Sequence, residues 1–279
     1  MEQSKKLTLK RTANNIRLGI IEAVYNAACG HPGGSLSIAD VLTYLYFEEM
    51  NIDPKNPQDP GRDRFVLSKG HTAPALYSTL AERGFFDKEE LKTLRKTASR
   101  LQGHPDMKGV PGVDMSTGSL GLGFSTACGM ALSAKVSGDS YRVYSALGDG
   151  ESEEGQVWEA AMFASHYKLD NLVAIIDLNG LQIDGPITEV MNPMPHDEKL
   201  RAFGWHVITI NAHDFDEIEA AFKEARTVVG KPTAIIAKSV KGKGVSYMEN
   251  SCEWHGQAPK TDLYEVAVAD LNKIEEELK

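Results

Sequence analysis

The side chains best placed to do chemistry are a carboxylate between two glycines and an amide further along the chain. Asp149 lies in Gly148-Asp149-Gly150, and Asn179 begins an Asn-Gly pair after residues 151–178. The glycines let backbone approach a phosphate, and the helix start that follows offers free N–H groups. A carboxylate about 4 Å from a phosphate charge is repelled by roughly 4 kcal/mol at an effective dielectric of about 20, so a cation must lie between them. Carboxylate and amide oxygens suit Mg²⁺, so the pair predicts a magnesium site that also binds phosphate.

Two strands and a helix must bring these side chains together. Residues 141–147 and 172–177 are rich in apolar, β-branched and aromatic side chains, which predicts two buried strands. Residues 156–168 between them have apolar side chains at helical spacing. A right-handed β-α-β crossover places both strand ends at one edge of a parallel sheet, where open α/β sheets bind ligands. We therefore expect Asp149 and Asn179 to meet at that edge.

The rest of the chain alternates between strand and helix patterns. Further strands are predicted over residues 65–67, 205–210 and 233–237. Helices are predicted over residues 15–28, 37–50 with Ser37 as the cap, 72–83, 88–95, 117–137, after Asp214, and over 261–278. This alternation is typical of an α/β fold with a doubly wound, mostly parallel sheet flanked by helices.

Composition limits the class of protein. A chain of 279 residues with 42% hydrophobic and 25% charged content is expected to form one large α/β domain, with two small domains as the alternative. The net charge of −9 and the lack of a basic cluster argue against nucleic acid or an anionic membrane as a partner. Cys29, Cys128 and Cys252 are odd in number and widely spaced, which suggests reduced thiols in a cytoplasm and favours small core positions. No secretory signal or membrane-spanning run is expected.

Three other kinds of ligand site are disfavoured. The sequence contains no Gly-x-x-x-x-Gly-Lys-Ser/Thr, so it is not a P-loop protein. Gly121-x-Gly123 completes no dinucleotide-binding motif, and no predicted strand precedes it.

His31 and His104 lie in Gly-His-Pro turns and His71 follows a strand, but their spacing does not match zinc sites. Lysines 241 and 243, after the strand over 233–237, are expected to face water rather than a phosphate.

Seven short motifs occur in the order found in transketolases and span nearly the whole chain. They are Gly-His-Pro-Gly (30–33), Leu-Ser-Lys-Gly-His (67–71), Gly-His-Pro (103–105), Thr-Gly-Ser-Leu-Gly (117–121), Gly-Asp-Gly-x-x-x-Glu-Gly (148–155), Asn-Gly-Leu-Gln-Ile-Asp-Gly (179–185) and Trp-His-Gly (254–256). Gly-Asp-Gly with its distant Asn-Gly also resembles the thiamin diphosphate motif. The chain is thus similar to the transketolase family. The resemblance implies the thiamin diphosphate-binding fold, as a single PP-type domain over residues 1–279 that binds the diphosphate and Mg²⁺.

The resemblance also implies which residues bind thiamin diphosphate and Mg²⁺. The Asp149 carboxylate, the Asn179 side chain and the Leu181 carbonyl are implied to bind the metal. Gly150 is implied to contact the diphosphate, and Ile183 to lie against the thiazolium ring. The other implied cofactor contacts are His71 and His255 near the diphosphate, Gly118 and Leu120 at the aminopyrimidine, and Glu154.

Four histidines and two glutamates are implied to serve the reaction. The histidines expected to line the substrate and diphosphate channel are His31, His71, His104 and His255. Because an imidazole titrates near neutrality, His31 and His104 are expected to exchange protons with ketose hydroxyls. Glu154 and Glu159 resemble carboxylates that lie between paired active sites at the subunit interface. On the acceptor side of the pocket, Gly34-Ser35 replaces the Ala-Pro that transketolases often have.

Thiamin catalysis also needs a glutamate against the pyrimidine ring, which transketolases take from a pyrimidine-binding domain of another subunit. The pyrimidine-binding and C-terminal domains are therefore expected on a partner chain. The resemblance implies the N-terminal subunit of a split, α2β2 transketolase that moves a two-carbon ketol unit from a xylulose 5-phosphate-type ketose to a ribose 5-phosphate-type aldose. Three alternatives stay open: a split enzyme for another sugar, another thiamin diphosphate enzyme subunit, and a non-catalytic cofactor-binding module.

Overall fold

Five parallel strands form the centre of the molecule. The computed structural model describes residues 1–278. The strands are β1 (Arg64–Leu67), β2 (Val143–Gly148), β3 (Leu172–Leu178), β4 (His206–Asn211) and β5 (Thr233–Lys238). Their order in the sheet is β1-β2-β3-β5-β4, and every neighbouring pair is parallel. Each strand begins and ends within two residues of its predicted position. The predicted α/β fold is confirmed.

Helices cover both faces of this sheet. They are α1 (Gln3–Ala27), α2 (Pro32–Ser37), α3 (Ala39–Tyr44), α4 (Ala73–Arg83), α5 (Leu122–Ser137), α6 (Gly155–His166), α7 (Ile187–Val190), α8 (His196–Ala202), α9 (Phe215–Thr227) and α10 (Thr261–Glu277). A π-helical turn, Leu45–Glu49, follows α3. Short 3-10 turns occur at Gly70–Thr72, Lys88–Thr93, Gly150–Glu153 and Glu253–His255. No helix within residues 1–278 is both long and apolar enough to cross a bilayer.

The alternating side chains of β3 show why the sheet needs helices on both sides. Val173 and Ile175 belong to a core cluster that also contains residues of α1, α4 and α9. Leu172, Ala174 and Ile176 belong to a second cluster, shared with α5 and α6. All five side chains are buried, and full burial of a large apolar side chain contributes about 1.5–3 kcal/mol. A strand that is apolar on both faces can only be central.

Three helix predictions were wrong at their starts. Helix α1 begins at Gln3 rather than at residue 15, and its extra turns bury Leu9 and Ala13. Residues 37–50 do not form one helix, because Ser37 ends α2 and its hydroxyl donates to Asp177 at 2.6 Å instead of capping a helix. Helix α5 begins at Leu122, since residues 117–121 form a loop. Each error reflects a tertiary contact that local spacing does not encode. The three cysteines are free, and only Cys128 is buried.

Candidate functional site

A cavity of about 280 Å³ opens at the carboxyl edge of the sheet, between the loops that follow β1, β2, β3 and β5. The β2–β3 register pairs Gly148 with Asp177, so the residues that follow both strands project into the same space. Ten predicted site residues line the cavity: His31, His71, Gly118, Leu120, Asp149, Gly150, Asn179, Leu181, Ile183 and His255. The predicted meeting of Asp149 and Asn179 at the sheet edge is confirmed.

The Asp149 carboxylate is buried and held by backbone. Its Oδ1 accepts from the Gly150 N–H at 2.9 Å, and its Oδ2 accepts from the Gly180 N–H at 2.6 Å. Burial, and then the charge of Asp177, raise the pKa of Asp149 to about 6. A cation in contact with this carboxylate would stabilise its ionised form.

Asn179 and Leu181, which line the same cavity as Asp149, offer two more oxygen atoms. The Oδ1 atom of Asn179 accepts from the Leu181 N–H at 3.1 Å, and the Leu181 carbonyl accepts from the Lys241 ammonium at 2.9 Å. No cluster of three or more His, Cys, Asp or Glu side chains in residues 1–278 has metal-binding geometry. A cation at this edge would therefore depend on amide and backbone oxygens in addition to the Asp149 carboxylate. Hard cations such as Mg²⁺ bind to all three kinds of oxygen.

Two buried lysines complete the site, and the sequence analysis did not assign them. The Lys69 ammonium donates to Asp177 at 2.5 Å and to the Gly34 carbonyl at 2.9 Å. Lys241 is 1% exposed and its Nζ lies 3.0 Å from Nδ1 of His255. The expectation that Lys241 faces water was wrong. Both lysines follow parallel strands, β1 and β5, so the rule that located Asp149 also applies to them.

Lys241 is positioned by a tight turn at the next residue. Gly242 has φ +77°, and a Cβ there would lie 2.2 Å from the Met248 carbonyl oxygen. Gly230 has almost the same φ, +76°, with nothing within 4 Å of a Cβ. An alanine at either position would therefore have the same backbone strain, about 1–2 kcal/mol. The two substitutions differ only in the steric clash with Met248, which occurs at residue 242 alone.

We expect Gly242→Ala to cost about 1–3 kcal/mol more unfolding free energy than Gly230→Ala, because the loop that carries Lys241 must shift. Denaturant unfolding of both variants measures the difference. Equal losses would mean that the loop relaxes freely around the added methyl group.

Three imidazoles form a cluster over the cavity. The ring centroids of His31, His71 and His255 lie between 5.1 and 5.5 Å apart. Burial, with the nearby positive charges, lowers the pKa of His31 to about 4 and that of His255 to about 3, and the pKa of His71 falls well below its usual value. The rings are therefore neutral at pH 7 and each offers one donor and one acceptor. The expectation that the His31 imidazole titrates near neutrality was wrong.

Two predicted site residues do not line the cavity. His104 is exposed beside it, and a Cβ at Gly118 would lie 3.3 Å from Cδ2 of His104. Glu154 is also exposed, immediately before α6. Glu159 lines a separate surface groove with Phe163. The contact of His104 with substrate, and the position of Glu154 and Glu159 at a subunit interface, stay predictions.

The site's composition fits a divalent cation together with a diphosphate. Three buried carboxylates, Asp149, Glu151 and Asp177, lie in or behind the cavity with the ammonium groups of Lys69 and Lys241. With all five groups ionised, the net charge of the site is −1. A divalent cation would change it to +1, which favours an anionic ligand.

Unpaired polar atoms also point to a polar ligand. Nδ1 of His31 and Nε2 of Gln182 are buried without a hydrogen-bond partner among the described residues, and both side chains line the cavity. A Cβ at Gly150 would lie only 2.9 Å from Oε1 of the same Gln182 side chain, so the glycine leaves room for that amide in the cavity.

The sheet, its flanking helices and the site at its carboxyl edge define an α/β domain of the thiamin diphosphate-binding fold. Residues 8–271 match the family model "Transketolase, thiamine diphosphate binding domain". The chain belongs to this family, as its motifs implied.

Similar proteins include transketolase subunits of about this length and longer transketolases. The 6-deoxy-6-sulfo-D-fructose transketolase subunit SqwG of Clostridium sp. (strain MSTE9) is 47% identical, over 96% of this chain and 98% of the relative. An apulose-4-phosphate transketolase subunit of Phocaeicola vulgatus is 44% identical, over 98% of this chain and 96% of the relative. Human transketolase is 44% identical over 97% of this chain but only 43% of its own length. A crystal structure of Campylobacter jejuni transketolase matches with a TM-score of 0.90 and 34% identity, over 98% of this chain and 43% of that chain.

Proposed function

We propose that this chain binds thiamin diphosphate with Mg²⁺ and is the N-terminal subunit of a transketolase. With a C-terminal partner subunit it transfers a two-carbon ketol unit from a ketose phosphate of the xylulose 5-phosphate type to an aldose phosphate of the ribose 5-phosphate type. The observation that carries the proposal is the placement of the Asp149, Asn179 and Leu181 oxygens in one cavity with His31 and His255.

The side chains of the cavity have separate tasks in this proposal. The oxygens of Asp149, Asn179 and Leu181 hold the cation, and the ammonium groups of Lys69 and Lys241 offset the diphosphate charge. Bound thiamin diphosphate supplies the nucleophile for cleavage and formation of the carbon–carbon bond beside the ketose carbonyl. The neutral imidazoles orient sugar hydroxyls. Ile183, 67% exposed, offers apolar surface to the thiazolium ring.

A partner subunit is supported by the two relatives of similar length, since both are named as transketolase subunits. In the assembly, the partner supplies the glutamate that faces the pyrimidine and the basic residues that face the sugar phosphate. An α2β2 arrangement would make two shared sites, with Glu154 and Glu159 between them.

A split transketolase for another sugar is a second candidate, because those two relatives are named for sulfofructose and apulose phosphate. The test combines the chain, the product of the neighbouring reading frame, thiamin diphosphate and Mg²⁺. Each of xylulose 5-phosphate, 6-deoxy-6-sulfofructose and apulose 4-phosphate is offered with ribose 5-phosphate, and products are identified by mass spectrometry. Ketol transfer from one donor selects the substrate. A parallel reaction offers a 2-oxo acid in place of the ketose, and its decarboxylation would show a different thiamin enzyme. No reaction with any of these compounds would favour a binding module.

His104→Ala is expected to lower kcat/KM for the donor ketose by about 10–100-fold, with thiamin diphosphate affinity unchanged. His104 lies beside the cavity rather than in its lining, so its loss removes a contact to sugar hydroxyls and not to the cofactor. Steady-state kinetics with the partner present give the first quantity, and calorimetry gives the second. A variant that loses cofactor affinity in proportion to activity would place His104 at the cofactor instead.

A further inference from the structure

Asp177 connects helix α2 with three loops of the site without lining the cavity itself. It is 1% exposed, and its Oδ2 accepts from Lys69 at 2.5 Å and from Ser37 at 2.6 Å. The Ser239 hydroxyl donates to its Oδ1. The side-chain amide of Asn179 donates to Oδ2 at 3.4 Å. These donors come from α2 and from the loops after β1, β5 and β3.

The contacts of Asn179 with Asp177 and with the Leu181 N–H fix which end of its amide faces the cavity. A carboxylate whose charge is matched by Lys69 can only accept, so Asn179 must turn its NH₂ toward Asp177. A reversed amide would place two acceptor oxygens against each other. Oδ1 of Asn179 is therefore left on the other side, where it accepts from the Leu181 N–H at 3.1 Å. Only that oxygen end can bind a hard cation.

We propose that Asp177 is a positioning residue that fixes the Asn179 amide with its oxygen toward the cation. The inference rests on the proposed function, because it takes the Asp149 and Asn179 edge as the metal site. Asp177 itself does not bind the cation but orients a residue that does.

Asp177→Asn tests the inference, because an asparagine of the same size can donate as well as accept and so permits the reversed amide. With thiamin diphosphate present, Mn²⁺ binding measured by electron paramagnetic resonance is expected to weaken about 10–100-fold, the usual cost of losing a partner behind a metal ligand. The matched control is Asp170→Asn at the opposite end of β3. Asp170 accepts from Lys135 at 2.7 Å and from the Gly230 N–H at 2.8 Å, and its loss is expected to leave Mn²⁺ affinity unchanged.

A double-mutant cycle separates positioning from general damage. In an Asn179→Ala background no amide is left to orient, so adding Asp177→Asn is expected to weaken Mn²⁺ binding no further. If Asp177→Asn fails to fold because Lys69 loses its counter-ion, Lys69→Met/Asp177→Asn replaces it, and adding Asn179→Ala to that pair is expected to weaken Mn²⁺ binding less than Asn179→Ala does alone.

Different failures have different meanings. Additive losses in the cycle, or an Asp177→Asn affinity equal to that of Asp170→Asn, would overturn the positioning role while the proposed metal site stands. Unchanged Mn²⁺ affinity in both Asp149→Asn and Asn179→Ala would overturn the metal site itself.

Discussion

Asp149→Asn is expected to weaken Mg²⁺-dependent binding of thiamin diphosphate by at least about 100-fold. The substitution removes the one negatively charged ligand from the proposed metal site, and each tenfold loss corresponds to about 1.4 kcal/mol. Charge is decisive here, because a diphosphate beside the site must be separated from protein carboxylates by a cation. Isothermal titration calorimetry with Mg²⁺, thiamin diphosphate and the partner subunit measures the loss.

The same variant is expected to remain folded, which makes the loss interpretable. Burial and the charge of Asp177 raise the pKa of Asp149 to about 6, so its ionised form at pH 7 is destabilised in the metal-free chain. An amide carries no charge, but its NH₂ group would face one of the two backbone donors, Gly150 or Gly180, and leave that N–H unpaired. Metal-free Asp149→Asn should therefore stay folded and lose at most about 1–3 kcal/mol of unfolding free energy. Asp184→Asn, at an exposed carboxylate of the loop after β3, is the control and should bind normally. Normal Mg²⁺-dependent affinity in Asp149→Asn would refute the metal assignment.

Lys69→Met is expected to have the largest effect on stability. Burial opposes ionisation of Asp177, but the charge of Lys69 and the hydrogen bonds from Lys69, Ser239 and Ser37 together lower the pKa of Asp177 below its usual range. Both side chains of this ion pair are at most 2% exposed. Removing one partner from a buried pair costs about 3–5 kcal/mol, because the other charge is left buried and unpaired. Denaturant unfolding at pH 7 measures the loss.

Lys135→Met is the matched comparison, since Lys135 pairs with Asp170 at 2.7 Å with side chains 35% and 26% exposed. An ion pair that solvent reaches contributes about 0–1 kcal/mol. The deficit of Lys69→Met should also shrink as pH falls, because a protonated Asp177 no longer needs a counter-ion. Equal losses in the two variants, or a Lys69→Met deficit independent of pH, would show that burial does not govern this pair.

The central part of the fold was predictable because its signals are local. Residues 141–147 and 172–177 are short segments rich in apolar, β-branched and aromatic side chains, which is typical of buried strands, and parallel strands bring their carboxyl ends together. That geometry located Asp149 and Asn179 from the order of residues alone. The end of α2 and the start of α3 were not predictable in this way, because Ser37 bonds to Asp177, a residue distant in sequence.

The placement of Asp149, Asn179 and Leu181 in one cavity was predicted, but the presence of two buried lysines there was not. Lysine is usually solvated, so Lys241 was expected in water, and only the folded chain shows its ammonium between the Leu181 carbonyl and His255. The low pKa of His31 likewise arises from burial that sequence spacing does not report. His104 and Glu154 lie outside the cavity lining, so their predicted roles depend on substrate or on a second subunit.

The bonds to Asp177 also bear on biosynthesis. They join Ser37, Lys69 and Ser239, and the last of these follows β5, the final strand of the sheet in chain order. A nascent polypeptide on the ribosome therefore lacks the complete pocket until the segment after β5 has emerged. A ligand of the complete pocket therefore cannot bind before β5 has joined the sheet, and it cannot assist the folding steps that come earlier.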